Sequence, residues 1–414
     1  MRTITKKPEV LAPAGTLEKL KTAIHYGADA VFIGGEQFGL RSRAGNFDFD
    51  EMSEAVQFAH KRGAKVYVTA NMVTHEGDEQ GADEFFRHLR DIGIDAVIVS
   101  DTALMQICVD AAPGLPIHLS TQASAANYQN LNFWKDEGLE RVVLAREVSM
   151  EEINEMKERV DVEIEAFIHG AMCISYSGRC VLSNHMENRD ANRGGCCQSC
   201  RWKYGLFDIA ISGDRQMVGA GEEGIEEKFS MSSVDLAMIE HIPDLCEAGV
   251  DSLKIEGRMK SIHYIATVVS IYRKVIDAYA SDPENFKIKP EWLIELDKCA
   301  NRDTASAFIE GTPGYEEQMF GQQNKKNSAY DFCGLVLDYD KATKIATVQQ
   351  RNKFEPGQEI EFFGPEIDTF RQVVETIYDE EGNELDAARH PLQIVQIQVD
   401  HPIYANNMMR KEIG

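Results

Sequence analysis

Eight short apolar or β-branched runs punctuate the first two thirds of the chain, at 10–14, 30–34, 65–71, 96–100, 117–120, 141–144, 162–167 and 252–256. Most are separated by segments with apolar residues at helical spacing, such as 17–26, 52–61, 83–92, 151–159 and 234–248. Strands alternating with helices predict a parallel sheet, because a parallel neighbour needs a crossover long enough to hold a helix. Eight of them predict a closed (β/α)8 barrel. A repeated joint supports this. Gly27-Ala-Asp-Ala-Val-Phe-Ile, Gly93-Ile-Asp-Ala-Val-Ile-Val and Gly249-Val-Asp-Ser-Leu-Lys-Ile share one pattern, and Gly138-Leu-Glu-Arg-Val-Val-Leu is a looser copy. Glycine just past a helix ends it, and the acid then turns the chain into a buried strand. Such joints fall on the barrel face opposite the usual active site and carry no functional content.

After the eighth strand, 261–279 has the pattern of an amphipathic helix that closes the barrel, and Ser281-Asp-Pro283 ends it. Residues 284–329 read as a connector with one apolar helix at 291–298. From 330 the pattern changes to runs at 334–337, 345–350, 359–363, 369–378 and 394–399, with turns such as Glu381-Gly382-Asn383. That spacing predicts a small antiparallel β-barrel. The expected organisation is a TIM-like barrel over 1–283, the connector over 284–329, and the small β-barrel over 330–414. A cysteine-rich insert at about 169–230 follows the seventh strand.

Barrel enzymes draw their chemistry from the C-terminal ends of the strands. Arg41 and Arg43 follow the second run, Asn71 and His75 the third, and Asp101 the fourth. Ser120, Thr121 and Gln122 end the fifth and offer hydroxyl and amide contacts, while Arg146 and Glu147 end the sixth. His169 follows the seventh and Arg258 and Lys260 the eighth. Alternate strand residues share a face, so Lys254 and Glu256 point the same way. Outward would bury charge against helices, which favours inward. There Lys254 and Arg258 could bind a carboxylate or phosphate, or Lys254 and Glu256 could pair and fix barrel geometry. His169 is a candidate general acid or base, or a hydrogen-bonded structural residue.

The chain has 414 residues, 43% hydrophobic and 27% charged, with a formal charge of −25. Such acidity counts against non-specific nucleic-acid binding, which Lys and Arg drive. An RNA substrate requires a local basic patch working against the global field. No apolar run approaches the ~20 residues of a membrane span. No secretory signal precedes the sequence, so a reducing, cytoplasmic setting is expected.

Five of nine cysteines fall between 165 and 204: Cys173, Cys180, Cys196, Cys197 and Cys200. Such crowding means a metal, a redox pair or a disulfide, and a reducing compartment disfavours the last. With Cys196 as third member the spacing is Cys-x6-Cys-x15-Cys-x3-Cys, whose first pair is wider than a zinc knuckle. Four thiolates from two loops suit an iron–sulfur cluster, while the Cys-x2-Cys of Cys197 and Cys200 keeps zinc open. Arg193, Arg201, Trp202, Lys203 and Tyr204 close the block. Basic residues beside aromatics would serve a single-stranded nucleotide loop, or the rings would simply pack the insert onto the barrel. Cys108, Cys246, Cys299 and Cys333 stand alone and read as buried apolar fillers.

The stretch Glu165-Ala-Phe167-Ile-His-Gly170-Ala171-Met172-Cys173, followed by Gly178-Arg-Cys180-Val-Leu182-Ser183, resembles the signature of the collagenase-like peptidase family U32. Asn192-Arg193-Gly194-Gly195-Cys196-x3-Cys200-Arg201-Trp202-Lys203-Tyr204 resembles its second cysteine block. The resemblance implies a four-iron four-sulfur cluster on Cys173, Cys180, Cys196 and Cys200, with Cys197 as an extra thiol. It also marks the segments around Ser120–Gln122, Ala145–Glu147 and Lys254–Arg258 as characteristic. Family branches perform oxygen-independent hydroxylation of RNA bases or quinone precursors, and the peptidase name is an older assignment. Chains with a C-terminal barrel resemble the tRNA branch that makes 5-hydroxyuridine at the wobble position, with prephenate, a small dicarboxylate, as implied oxygen source.

Position at the strand ends, together with the segments that the resemblance marks, makes His169, Arg146, Glu147, Lys254, Glu256 and Arg258 the catalytic candidates. Asn71, Ser120, Thr121, Gln122, Arg201 and Trp202 become the substrate-binding ones. Two other readings compete. A collagenase-like peptidase finds no His-Glu-x-x-His helix, no Gly-x-Ser-x-Gly elbow and no Cys–His pair outside the cysteine block. A cluster-bearing subunit would work in a heterodimer with a shorter paralogue, as in the family's quinone hydroxylases.

Overall fold

The computed structural model describes residues 6–40, 45–205, 207–209, 215–217, 228–314, 317 and 328–413. Arg41 and Arg43 lie outside them.

Eight parallel strands close into the barrel: β1 (Glu9–Pro13), β2 (Ala30–Gly34), β3 (Lys65–Ala70), β4 (Ala96–Val99), β5 (Ile117–Leu119), β6 (Arg141–Val143), β7 (Glu163–Gly170) and β8 (Ser252–Ile255). Pairing runs in sequence order, and β8 closes the ring by pairing with both β7 and β1. Helices α1 (Leu17–His25), α2 (Phe49–His60), α3 (Ala82–Asp91), α4 (Thr102–Ala111), α5 (Tyr128–Asp136) and α6 (Met150–Arg159) fill the crossovers. The observed strands start or end within a few residues of the expected runs.

The repeated joint has a physical job beyond turning the chain. In each copy the aspartate accepts a backbone N–H from the neighbouring strand: Asp29 from Val10 at 2.8 Å, Asp95 from Val66 at 2.7 Å, and Asp251 from Ile164 at 3.0 Å. An otherwise orphaned donor at the strand start is thereby satisfied, and adjacent strands are fixed in register.

Inside the barrel the two halves differ. Leu11, Ala30, Phe32, Tyr67, Ala96 and Ile98 form a small apolar cluster on the β1–β4 side. The β6–β8 side carries charge. Glu165, with 0% of its surface exposed, accepts from Lys254 Nζ at 2.7 Å and lies 3.3 Å from Arg141 Nη1. Arg141 also donates to Glu9 at 2.7 Å and Glu163 at 2.7 Å, and Tyr67 and Ser252 donate to Glu9. Lys254 does point inward, as alternation requires, but its partner is Glu165 and not Glu256.

One expected helix is not formed as read. Within 234–248, Asp235–Ala237 is a strand antiparallel to the end of β7, Ile239–His241 is a single 3-10 turn, and the α-helix α8 is confined to Ile242–Ala248. Pro243 sits in the first turn of α8, where its missing N–H costs nothing but a longer helix through it would lose a hydrogen bond. The β7 end, projecting past its barrel neighbours, offers an edge that 235–237 covers. Thr304–Ala305, from the stretch read as a connector, adds to Asp235–Ala237 in parallel.

The long helix following β8 is interrupted nowhere between its ends: within the insert α7 (Leu182–Glu187) precedes α8, and then come α9 (Ile262–Ser281) and α10 (Pro290–Asp297). The C-terminal strands form an eight-stranded antiparallel sheet with its own apolar core around Val336, Val348, Phe362 and Ile397. It docks on α1, α9 and α10. Tyr26 Oη donates to Asn406 O at 2.9 Å, His263 stacks on Phe332, and buried Arg410 and Lys298 share Glu361.

Glu165→Ala leaves Lys254 and Arg141 buried without their shared counter-charge. We expect a loss of about 3–5 kcal/mol in urea unfolding, the usual cost of breaking a buried pair. A loss under 1 kcal/mol would show that solvent or Glu9 compensates.

Candidate active site and metal centre

The cysteine insert leaves the barrel at the end of β7 and is held down by hydrogen bonds rather than by regular structure. Thr121 Oγ1 donates to Leu144 O at 2.9 Å and lies 3.3 Å from Ser177 Oγ. The Glu147 carboxylate accepts from the Ser177 backbone, and burial nevertheless raises its pKa. Gly178 has φ +72°, and a Cβ there would lie 2.1 Å from the Gln122 carbonyl oxygen, so only glycine lets the loop press on the segment after β5. Asn192 Nδ2 donates to Cys180 O at 3.1 Å, Val73 N to Asn192 O at 3.0 Å, and Arg193 is paired with Asp78.

These contacts bring Cys173, Cys180, Cys196 and Cys200 around one cavity of about 260 Å³. Burial pushes the Cys200 thiol up to about 11, and Cys173, Cys196 and Cys180 add to the rise against the nearby Arg201. Cys173 is raised too, its thiol desolvated by the cavity walls although the residue as a whole is exposed. Cys197 turns aside, with its Sγ 3.3 Å from Ser183 Oγ. Among the described residues no three His, Cys, Asp or Glu side chains converge as the ligands of one ion would. Cys108, Cys246, Cys299 and Cys333 are buried, as expected of fillers, and burial holds each thiol up at about 12.

Beneath the thiol cavity lies a second chamber, about 80 Å³, inside the barrel mouth. Its lining includes Thr69, Asn71, Ser120, Thr121, Phe167 and Lys254. Gln122, Arg146, Glu256 and Arg258 line both spaces, so they form the wall between them. The Arg146 guanidinium stacks 3.9 Å from the Phe167 ring centroid, and its Nη2 lies 3.5 Å from Glu256 Oε2. Arg258 is buried and donates to Asn46 Oδ1 at 2.8 Å and Gly45 O at 3.2 Å. Gly34 makes room for it, since a Cβ there would lie 2.3 Å from its Nη2. Ser120 Oγ accepts from Asn71 Nδ2 at 3.4 Å. Gln122 Oε1 is buried with no hydrogen-bond partner among the described residues, an acceptor left for a ligand.

The structure does not bring three of the candidates to these spaces. Glu147 lies under the loop that it anchors. Trp202 is 37% exposed on the surface of the insert, although its neighbour Arg201 lines the thiol cavity. His169 faces α9. The pairing of β7 with β8 skips Ile168, and this one-residue bulge reverses the alternation, so His169 turns from the barrel interior to the helix layer. There its Nδ1 lies 3.2 Å from Tyr272 Oη, and burial, helped by Lys260, pushes its pKa down to about 3.

Sequence reasoning passed over Phe167, Tyr176, Met259 and Arg302, all lining one or other space. Phe167 could have been found by alternation from Glu165. Arg302 could not, because it arrives from beyond α10 and is oriented by Asp235 at 2.9 Å.

Residues 15–319 match Peptidase family U32 and residues 328–410 match the Peptidase family U32 C-terminal domain. The chain belongs to peptidase family U32. It is 62% identical over 410 residues to tRNA hydroxylation protein P1 of Bacillus subtilis, covering 99% of this chain and 96% of that one. Identity to tRNA hydroxylation protein P of Escherichia coli is 34% over 398 residues, 87% of each chain. Bacillus subtilis also has a tRNA hydroxylation protein P2, 33% identical over 308 residues, which are 73% of this chain and 98% of that protein.

The histidine placement predicts a pH dependence. His169 and His263, both pushed down to about 3 by burial, stay neutral when folded, while in the unfolded chain they protonate near the ordinary histidine value of 6.5. The contribution of these two histidines to stability is therefore constant above pH 6.5 and is lost as pH drops toward 3, by about 1.4 kcal/mol per unit for each. Urea unfolding at pH 7 and pH 5 should show the loss, and His169→Gln should remove one histidine's share.

Proposed function

We propose that this protein is an iron–sulfur RNA hydroxylase that converts wobble uridine of tRNA to 5-hydroxyuridine, drawing oxygen from a small dicarboxylate of the prephenate kind. The observation that carries the reading is the shared wall. Four thiols surround a cavity whose floor, made by Gln122, Arg146, Glu256 and Arg258, is also the roof of the barrel chamber. The names of its relatives, which cover nearly the whole chain, point to hydroxylation of tRNA.

The donor set fits a cluster better than a lone ion. Zinc draws its sulfurs to ~2.3 Å around one point. A cluster several atoms wide spreads its thiolates around a volume, one to each iron. Cys173, Cys180, Cys196 and Cys200 would hold it, and it would supply electron exchange or Lewis-acid iron beside the barrel mouth. Zinc on the same thiols is the alternative occupant.

The chain's own residues supply the rest. Arg146, Arg201, Arg258, Lys260 and Arg302 give the thiol cavity a positive lining in an acidic chain, with Glu256 as its carboxylate. Such a lining would hold a dicarboxylate by charge-assisted hydrogen bonds. Phe167 keeps the Arg146 guanidinium planar over its ring, and Glu256 fixes its rotation. Asn71, Ser120 and Gln122 present amide and hydroxyl groups that can read the edge of a base. A shorter paralogue of the P2 kind is the expected partner for a heterodimer, to be sought by co-purification from native extract.

Protein purified without oxygen should absorb broadly at about 400 nm and hold iron and sulfide in equal amounts. Cys173→Ser should lose both. A strain lacking this gene and any paralogue should lack 5-hydroxyuridine in its tRNA. Normal hydroxyuridine in that strain would end the proposal, and colourless protein with stoichiometric zinc would end its redox part.

A further inference from the structure

We infer that a single-stranded RNA loop docks on the outer face of the cysteine insert, with Tyr176 as the stacking platform at the cavity entrance. This rests on the RNA-hydroxylase reading and adds the route by which RNA reaches the site.

Two independent observations meet on this face. The first is apolar exposure. Ile174, Tyr176, Val181, Met186 and Trp202 are all exposed within one stretch of the insert. Tyr176 is 63% and Met259 60% exposed while both line the thiol cavity, which makes them its lip and not its floor. Clustered exposed apolar side chains mark a surface that meets something. The second is charge. Between residues 173 and 204 the sequence holds five cations, Arg179, Arg189, Arg193, Arg201 and Lys203, against two acids, Glu187 and Asp190, in a chain of net charge −25. Arg193 is engaged by Asp78 and Arg201 lines the cavity, which leaves Arg179, Arg189 and Lys203 to the outer face. A polyanion repelled elsewhere is drawn to this face.

Rings interleaved with arginine and lysine match an unpaired loop, whose bases stack and whose phosphates need cations. A duplex offers no base faces to Tyr176. A protein interface would instead deplete charge at its core. The C-terminal sheet is the other obvious place for RNA, but residues 328–414 carry eight Lys and Arg against sixteen Asp and Glu. Two of those cations are not available to phosphate: Arg410 is fully buried on Glu361, and Arg371 is held by Glu361 and Glu359.

The test is fluorescence anisotropy of a labelled RNA hairpin with an unpaired uridine-containing loop, using full-length protein purified without oxygen. Tyr176→Ala should weaken binding about tenfold while Tyr176→Phe keeps it, with iron and sulfide content unchanged in both. Arg189→Ala with Lys203→Ala should lower the slope of log affinity against log salt by about 1.4, two phosphate contacts' worth. Lys344→Ala with Lys353→Ala, on the C-terminal sheet, should change nothing. The inference is overturned by unchanged affinity in Tyr176→Ala, by loss of binding in the C-terminal pair, by equal affinity for a fully paired duplex, or by a wild-type protein that does not bind the hairpin. If Tyr176-dependent binding holds but tRNA from the deletion strain keeps its hydroxyuridine, the docking surface stands and the hydroxylase reading falls.

Discussion

A carboxylate with no access to water, Glu165, sets the terms for the barrel. Its two oxygens are shared by Lys254 from β8 and Arg141 from β6, and Arg141 passes the constraint on to Glu9 of β1. Charges at this depth are tolerated only when every partner is in place. A slip of one residue in β6, β7 or β8 would turn these side chains toward the helices and strand them there. The network therefore fixes register on the half of the barrel that carries the insert. The apolar half, around Leu11, Phe32 and Ile98, is packed side chain on side chain and meets the network through Tyr67, which donates to Glu9, and Phe32, whose ring lies under Lys254. Interiors of this fold are usually filled with branched apolar residues, so one charged half is a departure with a positional meaning: Glu256 and Arg258 continue the same strand into the mouth.

That continuity explains how the site is held. Lys254 is locked by Glu165, which fixes β8, which in turn aims Glu256 at Arg146. Arg146 rests on Phe167 of β7, two residues beyond Glu165. The wall between the two chambers is thus anchored on the buried ion network. The described residues of the insert above it are tied down through Ser177, which meets the Thr121 hydroxyl and the Glu147 carboxylate, and through Asn192, whose carbonyl accepts from Val73 N.

Much of this was legible in the sequence. Period and joint chemistry located all eight barrel strands, and the inward direction of Lys254 and Glu256 followed from alternation and the cost of burying charge. The four thiols that share a cavity are those that the motif picked out. The failures have specific causes. Alternation carries no information about a bulge, so His169 was placed at the mouth when the extra residue in β7 turns it to Tyr272. The 234–248 segment has helical spacing, but spacing cannot see the open edge of β7 that draws 235–237 into a strand. Arg302 and Thr304 join the site and sheet from a stretch whose composition says only connector. Glu165 was visible as the start of a motif, yet its partners lie far away in sequence.

The strand at Asp235–Ala237 has one more implication. Its pairing sets Leu236 opposite Gly170, so the chain re-enters the barrel beside the point where it left. An excursion that begins and ends at neighbouring residues behaves as a cassette. Its length affects closure only logarithmically, and its inner side is pinned to the barrel at Ser177, Gly178, Asn192 and Arg193. The outer side of the cassette can then change without touching the contacts that carry the barrel.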